Sequence, residues 1–208
     1  MEIVYEDKRI VVAVKPAGVL STDEEGGMPS LLRQALGTGC IRTVHRLDAQ
    51  VAGLMVYARS QKAASLLSAQ IRTGQFQKEY LAVVHGTPPE RGRLCDLLGH
   101  DPLRRITYVA DVPGRDVRPA ELDYERVASH NGLTLVRIRL LTGRTHQIRV
   151  QFQSRGWPLC GDKKYGIADG ISPIALYSCR LCFTHPESGA AMEFTHQPPA
   201  IAPWTDFL

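Results

Sequence analysis

The sequence lacks both a long apolar segment near its N-terminus and an even set of cysteines, and these absences limit where the protein acts. The first twenty residues, MEIVYEDKRIVVAVKPAGVL, begin with acidic side chains, and Lys15 and Pro16 interrupt the apolar run. Such a segment is neither a signal peptide nor a membrane span. The five cysteines are an odd number without an export signal, which favours reduced thiols. We therefore expect a cytoplasmic protein that does not bind membranes.

Metal and cofactor motifs are also scarce. Cys179 and Cys182 form a C-x-x-C motif, but no second such pair is present to complete a tetrahedral zinc site. Their segment predicts a strand, in which residues three apart point to opposite faces. The sequence contains no P-loop and no dinucleotide-binding fingerprint. We expect no bound metal and no cofactor.

Lysine is rare among the basic residues. The chain has 19 arginines and six lysines against 21 acidic residues, which gives a net charge of +4. A planar guanidinium group suits phosphate, carboxylate and base edges better than an ammonium group does. A high genomic GC content would produce the same excess of arginine, so composition alone does not decide between these explanations.

The 208 residues contain no internal repeat or low-complexity tract and can form one domain or two small ones. Short apolar runs bounded by turn residues predict strands within residues 3–14, 53–59, 78–86 and 120–143, with a final hairpin that turns at 186–189. Helices are predicted at Leu31 to Leu36, from the cap at Ser60 to Gly74, and from a cap near Thr145 to Gly156. Residues 87–118 are either a linker or a set of short strands. This mixture predicts an α+β fold with mainly antiparallel strands.

A first charged cluster precedes the predicted strand at Gly53. His45, Arg46 and Asp48 lie where a loop meets a rigid element, and sites are commonly built at such places. A turn cap at Asp48 with surface residues beside it would explain the same pattern. A kinase catalytic loop is excluded because Leu47 separates the arginine from the aspartate.

A second cluster, TGRTHQIRVQFQSRG, contains Arg144, His146, Arg149 and Arg155 without an acidic residue. Arginines at a helix N-terminus suit phosphate binding, although a solvated basic helix face is the simpler alternative. A buried Asp48 would need a cationic partner, since desolvating an isolated carboxylate is costly. A guanidinium group from this cluster would lower the pKa of Asp48 and keep it ionised.

Four segments in matching order resemble the RluA family of RNA pseudouridine synthases. They are VVAVKPAGVLS, VHRLDAQVAGLMVYARS, KEYLAVVHG and LTGRTHQIRVQFQSRGWPLCGDKKYG, and the resemblance extends from about residue 3 to 199. It implies the pseudouridine synthase fold, in which helices and loops flank a central, mainly antiparallel mixed sheet crossed by a catalytic cleft. It further implies one catalytic domain over residues 1–208, without the S4 domain of some relatives.

The resemblance also implies roles for individual residues. Asp48 would be the nucleophile, Tyr80 the aromatic residue near the uracil, and Arg149 the partner of Asp48. Arg46 would fill the space left by a flipped nucleotide, and Ile148 would pack close to the base. The remaining RNA contacts are assigned to His45, Arg144, His146 and Lys15.

The implied reaction isomerises a specific uridine in structured RNA, a ribosomal RNA or a tRNA stem-loop, with no cofactor. Val51 and Ala52 replace a Thr-Ser pair common in relatives, and Tyr177 stands where relatives often have histidine. A catalytically silent RNA-binding factor is therefore a second hypothesis. A metal-dependent hydrolase using His45, Asp48 and His146 is a third. We expect a monomer because no exposed heptad or long apolar edge is visible.

Overall fold

The computed structural model describes residues 1–207, which divide into two compact units. The first comprises residues 1–78 and 177–197, and the second comprises residues 79–176 together with the C-terminal residues from 198. The helices and strands are, in chain order, β1 (Glu2–Glu6), β2 (Ile10–Lys15), α1 (Met28–Leu36), β3 (Arg42–Thr43), β4 (Ala52–Ala58), α2 (Gln61–Arg72), β5 (Gln77–His85), β6 (Arg91–Asp101), β7 (Ile106–Ala110), β8 (Val117–His130), β9 (Leu133–Leu140), α3 (Gln147–Gln153), β10 (Leu176–Thr184) and β11 (Ala191–Thr195), followed by a 3₁₀ turn at Trp204–Asp206.

The strands of the first unit lie in the order β1-β2-β4-β10, with β11 paired to β10 and β3 paired to β4. All of these pairs are antiparallel except β4 with β10, which is parallel. Helix α2 begins where the Ser60 hydroxyl accepts the N–H of Ala63, as predicted from the sequence. Its buried residue Leu67 joins a core with Ile10, Leu54 and other side chains of the sheet. This core supports β4, the strand that follows the first charged cluster.

The second unit contains the strand order β5-β9-β8-β6-β7, and the pairs β5–β9, β8–β9, β6–β8 and β6–β7 are antiparallel. Residues 87–118, the least regular part of the sequence, form a hairpin whose strand β6 has 11 residues. The linker interpretation is therefore wrong. Gly92 and Gly99 lie within β6, where tyrosine rings cover them. An added Cβ would come within 2.6 Å of Tyr124 at Gly92 and within 2.5 Å of Tyr108 at Gly99. These glycines are packing positions, not strand breaks.

Two helix starts differ from prediction. Helix α1 begins at Met28, three residues before the predicted Leu31, because Pro29 occupies the first turn, where the missing N–H has no helical partner. Helix α3 begins at Gln147 with His146 at the N-cap position, in a left-handed conformation and without a side-chain cap. The other predicted helices and strands are confirmed within three residues, and the α+β class is confirmed. None of the helices in residues 1–207 is long and apolar enough to cross a membrane.

Candidate functional site

Asp48 lies in the loop between β3 and β4, and hydrogen bonds fix the main chain on both sides of it. The Leu47 N–H donates to the Ser21 hydroxyl oxygen at 3.0 Å, and the same hydroxyl donates to the Leu47 carbonyl at 2.7 Å. The Val51 N–H donates to the Asp48 carbonyl at 3.0 Å, which closes a turn. Ser21 is only 3% exposed, so these bonds are shielded from water. The sequence analysis missed Ser21, which looked like one more polar loop residue.

Lys15 supports the same loop through hydrogen bonds from its ammonium group. Its ammonium group donates to the carbonyl oxygens of Pro16, Val19 and Ala49 at 2.8, 2.6 and 2.9 Å. Burial lowers the pKa of Lys15 to about 8, and the negative charge of Asp48 opposes this shift. The sequence analysis assigned Lys15 to RNA contact, but its side chain is fully buried and its donors face carbonyl groups beside Asp48. Its position fits a support for the loop.

His45 is also turned inward. Its Nε2 accepts the Val56 N–H of β4 at 3.1 Å, and its ring lies against Phe76. Burial and, secondarily, the charge of Lys78 lower the pKa of His45 to about 3, so the imidazole is neutral and its proton is on Nδ1. Because Nε2 is already engaged, this geometry disfavours the metal-dependent hydrolase. Arg46, by contrast, is exposed next to the partly buried Asp48.

Gly53 fixes where the loop joins the sheet. It lies opposite Ser178 in the parallel pair of β4 and β10, with φ of +121°. An added Cβ would lie 2.4 Å from the Ser178 carbonyl oxygen, so only glycine fits there. Val51, one of the two residues that depart from the family pattern, is 2% exposed. An apolar side chain in this position needs no hydrogen-bond partner.

Tyr80, Arg149 and Ile148 belong to the second unit. Tyr80 lies in β5 opposite Ile138 of β9 and is 5% exposed. Ile148 is buried in α3 at 4% exposure. Arg149 follows it in the same helix and is 8% exposed.

The carboxylate of Asp162 holds Arg149 in place. The guanidinium group donates from Nε and Nη2 to the two oxygens of Asp162 at 2.8 and 2.7 Å, and it lies 5.0 Å from the centre of the Tyr165 ring. Burial opposes ionisation of Asp162, but Arg149 and the N–H groups of Lys164 and Tyr165 outweigh it and lower the carboxyl pKa. The sequence analysis missed Asp162, although an aspartate directly before two lysines was a visible signal. The predicted pairing of Arg149 with Asp48 stays a prediction.

His146 and Arg144 lie at the start of α3. The Tyr165 oxygen accepts the Thr107 N–H at 2.8 Å, and it forms a hydrogen bond of 2.7 Å with Nδ1 of His146 whose direction depends on the imidazole tautomer. Arg144 is exposed and donates from Nε to the Pro119 carbonyl at 2.9 Å. The first unit therefore contains the predicted residues Lys15, His45, Arg46 and Asp48, and the second contains Tyr80, Arg144, His146, Ile148 and Arg149.

Comparison with known proteins gives consistent matches. The sequence model of the family described as RNA pseudouridylate synthase matches residues 9–154. The chain is 32% identical to ribosomal large subunit pseudouridine synthase D of Neisseria meningitidis serogroup A, over 93% of this chain and 57% of that protein. It is 30% identical to the dual-specificity RNA pseudouridine synthase RluA of Yersinia pestis, over 93% of this chain and 97% of that protein. The chain thus spans just over half the length of some curated relatives and nearly all of another.

The solved structure titled human RNA pseudouridylate synthase domain containing 1 matches with a TM-score of 0.81. The match covers 96% of this chain and 84% of the human chain at 22% identity. It confirms the predicted fold.

Proposed function

We propose, from the fact that this chain belongs to the RNA pseudouridylate synthase family, that it isomerises uridine to pseudouridine in structured RNA. The observation that carries the proposal is the position of Asp48 in a loop held by two buried side chains, Ser21 and Lys15. A reacting carboxylate must keep a fixed orientation, because small displacements of a catalytic group cost large factors in rate. The loop supplies that rigidity before any RNA is bound.

In the proposed reaction, uracil detaches from C1′ of its ribose, rotates, and reattaches through C5. A base then removes the proton from C5. Asp48 either attacks C1′ or assists formation of a glycal intermediate, and it acts as a carboxylate in both routes. Arg149 is the proposed cationic partner that keeps Asp48 ionised, and Tyr80 is the proposed aromatic contact of the uracil. The chemistry requires no redox change and no group donor, so the proposal includes no cofactor and no metal.

The uridine must leave its stack before it can react, at a cost of a few kcal/mol that is smallest in loops. The exposed Arg46 beside Asp48 is the proposed residue that fills the vacated space. Contacts from Arg144 and the start of α3 to phosphate would offset the cost and make RNA binding weaken as salt rises. The name ribosomal large subunit pseudouridine synthase D supports ribosomal RNA as the target, and a tRNA stem-loop is the alternative target that we propose. We further propose a monomeric, cytoplasmic protein with a single catalytic domain.

The test is carbodiimide mapping of pseudouridine in total RNA from cells with and without the gene. Complementation uses wild type, Asp48→Asn, and Asp23→Asn as a matched control, since Asp23 is an exposed acid paired with Arg33. We expect one site to be lost on deletion and restored by wild type and Asp23→Asn only. Restoration by Asp48→Asn would refute the proposed nucleophile.

The absence of the Thr-Ser hydroxyls at Val51 and Ala52 favours one second candidate, a catalytically silent RNA-binding factor. This candidate predicts salt-dependent binding of RNA without product. Purified protein incubated with the RNA from deletion cells separates the two functions. Pseudouridine formed by wild type and not by Asp48→Asn would exclude the silent factor.

A further inference from the structure

Three side chains with different ligand chemistry meet at the end of β5, and the proposed reaction uses none of them. They are His85, Cys160 and Asp169, and one ligand atom from each lies within 4.8 Å of the others. Nε2 of His85 is 2.9 Å from Oδ2 of Asp169. Cys160 is fully buried, whereas the His85 side chain is 22% exposed. The cluster is therefore closed on the cysteine side and reachable from solvent on the histidine side.

Backbone hydrogen bonds fix His85 and Cys160 independently of their side chains. The His85 N–H donates to the Pro158 carbonyl, and the Cys160 N–H donates to the Val83 carbonyl, both at 2.9 Å. These bonds hold the strand and the cysteine segment side by side.

The Asp169 carboxylate is held just as firmly. Its two oxygens accept the N–H groups of Gly161 and Ile171 at 2.8 and 2.9 Å. A metal ion that enters such a cluster loses little free energy to ordering its ligands.

We propose that His85, Cys160 and Asp169 form a binding site for a divalent cation of the zinc class, with water as the fourth ligand on the His85 side. One imidazole nitrogen, one sulfur and one carboxylate oxygen are the donors that zinc takes in proteins. Tetrahedral coordination places such donors about 3.3–3.8 Å apart. Nε2 of His85 and Oδ2 of Asp169, which are 2.9 Å apart, must therefore move apart by less than about 1 Å. Ligand atoms that are as much as 4.8 Å apart must move together by about 1 Å.

Charge and proton balance support this assignment. Without a cation the buried Cys160 sulfur lies near the Asp169 carboxylate and keeps its proton. Binding forms the metal–sulfur bond and releases that proton to solvent, while the His85 ring proton moves from Nε2 to Nδ1. One thiolate and one carboxylate then neutralise the two positive charges of the cation, which removes the cost of burying unpaired charge. No oxidant or reductant is needed.

The site would stabilise the segment that holds Arg149. Asp162 and Tyr165, the residues that bind and stack on Arg149, lie between Cys160 and Asp169 in the chain. A cation that joins both ends of this segment to β5 would raise the cost of unfolding it, because a ligand bound only to the native state stabilises that state. This inference concerns cation binding and does not depend on the proposed RNA reaction.

The experiment titrates the full chain, without an affinity tag, with Co²⁺ and then displaces the cobalt with Zn²⁺. We expect one equivalent of cobalt, a thiolate-to-cobalt charge-transfer band in the near ultraviolet, and loss of that band on adding one equivalent of zinc. Elemental analysis after dialysis counts the zinc that remains bound. The thermal midpoint of wild type should rise with zinc.

Two variants and one control decide the assignment. Cys160→Ala should abolish the charge-transfer band and weaken zinc binding at least about tenfold. His85→Gln, which can still hydrogen-bond to Asp169, should weaken binding similarly and keeps the test valid if Cys160→Ala does not fold. Cys95→Ser, at an exposed cysteine of β6, should bind like wild type. Absence of the band in wild type, or an equal band in Cys160→Ala, would overturn the proposal.

Discussion

Arg149 and Asp162 form a bidentate ion pair whose side chains are only 10% and 1% exposed. Both hydrogen bonds are short, at 2.8 Å from Nε and 2.7 Å from Nη2. A fork-to-fork pair of this kind fixes the plane of the guanidinium group as well as its position. The orientation of Arg149 is therefore set within its own unit, by a residue 13 positions further along the chain.

Asp162→Asn should lower the free energy of unfolding by about 3 kcal/mol. The substitution removes the negative charge that faces two nitrogens of the buried Arg149 guanidinium group, and removing one partner of a buried ion pair is among the costliest single changes in a protein interior. Urea denaturation of wild type and variant at neutral pH measures the difference.

Asp123→Asn is the matched control. Asp123 also accepts two hydrogen bonds from one arginine, Arg93, and a third from Arg139, but both arginines are more than half exposed. Exposed ion pairs contribute little because water and salt screen them. Equal losses of stability in the two variants would show that burial of the Arg149 pair is energetically unimportant.

Ser21→Ala should reduce the rate of pseudouridine formation more than it weakens RNA binding. The change removes both hydrogen bonds to Leu47 and leaves two buried backbone groups without partners, at a cost of about 1–3 kcal/mol. The adjacent Asp48 then loses its fixed orientation, which affects kcat before it affects KM. Steady-state kinetics on the mapped RNA measure the two constants.

Thr22→Ala is the control for Ser21. The Thr22 hydroxyl donates to the exposed Glu24 side chain, so its removal should leave kcat close to that of wild type. If both variants kept the wild-type kcat, the proposed bracing of the Asp48 loop by Ser21 would be wrong.

Local sequence patterns were sufficient to predict most helices and strands. The features that they did not predict depend on contacts between residues that are far apart in the chain. Ser60 and the apolar spacing after it were sufficient for α2, because a helix cap acts on residues three positions away. Ser21 binds Leu47 across 26 residues, and nothing in the local sequence distinguishes it from other loop serines. The tyrosine rings that cover Gly92 and Gly99 come from other strands, so the local sequence does not show why glycine occupies these positions. A sequence shows these partners only after the strands have been paired.

Gly53→Ala should destabilise the protein much more than Gly18→Ala. Both glycines have positive φ, of +121° and +86°, so both substitutions strain the backbone. Only at Gly53 would the new Cβ also meet a backbone atom, the Ser178 carbonyl oxygen at 2.4 Å, whereas at Gly18 no atom of residues 1–207 other than its chain neighbours lies within 4 Å. The added clash should cost about 1–3 kcal/mol beyond the strain. Thermal denaturation compares the two, and a midpoint for Gly53→Ala equal to that of Gly18→Ala would contradict the close approach of β4 to β10.

His45→Gln should make stability less sensitive to acid. Burial, with a smaller contribution from Lys78, lowers the pKa of folded His45 from 6.5 to about 3. Between these values the unfolded chain binds a proton that the folded chain does not. The stability that His45 contributes is therefore fully present above pH 6.5 and is lost as pH falls toward about 3. The slope approaches about 1.4 kcal/mol per pH unit below pH 6.5, so wild type should lose about 2 kcal/mol more than the variant between about pH 6.5 and 4.5. The glutamine amide oxygen can still accept the Val56 N–H, so the variant should keep the loop in place. Urea denaturation at several pH values gives the pH dependence of the free energy of unfolding for both proteins. Equal dependences would mean that His45 takes up a proton as readily in the folded protein as in the unfolded chain.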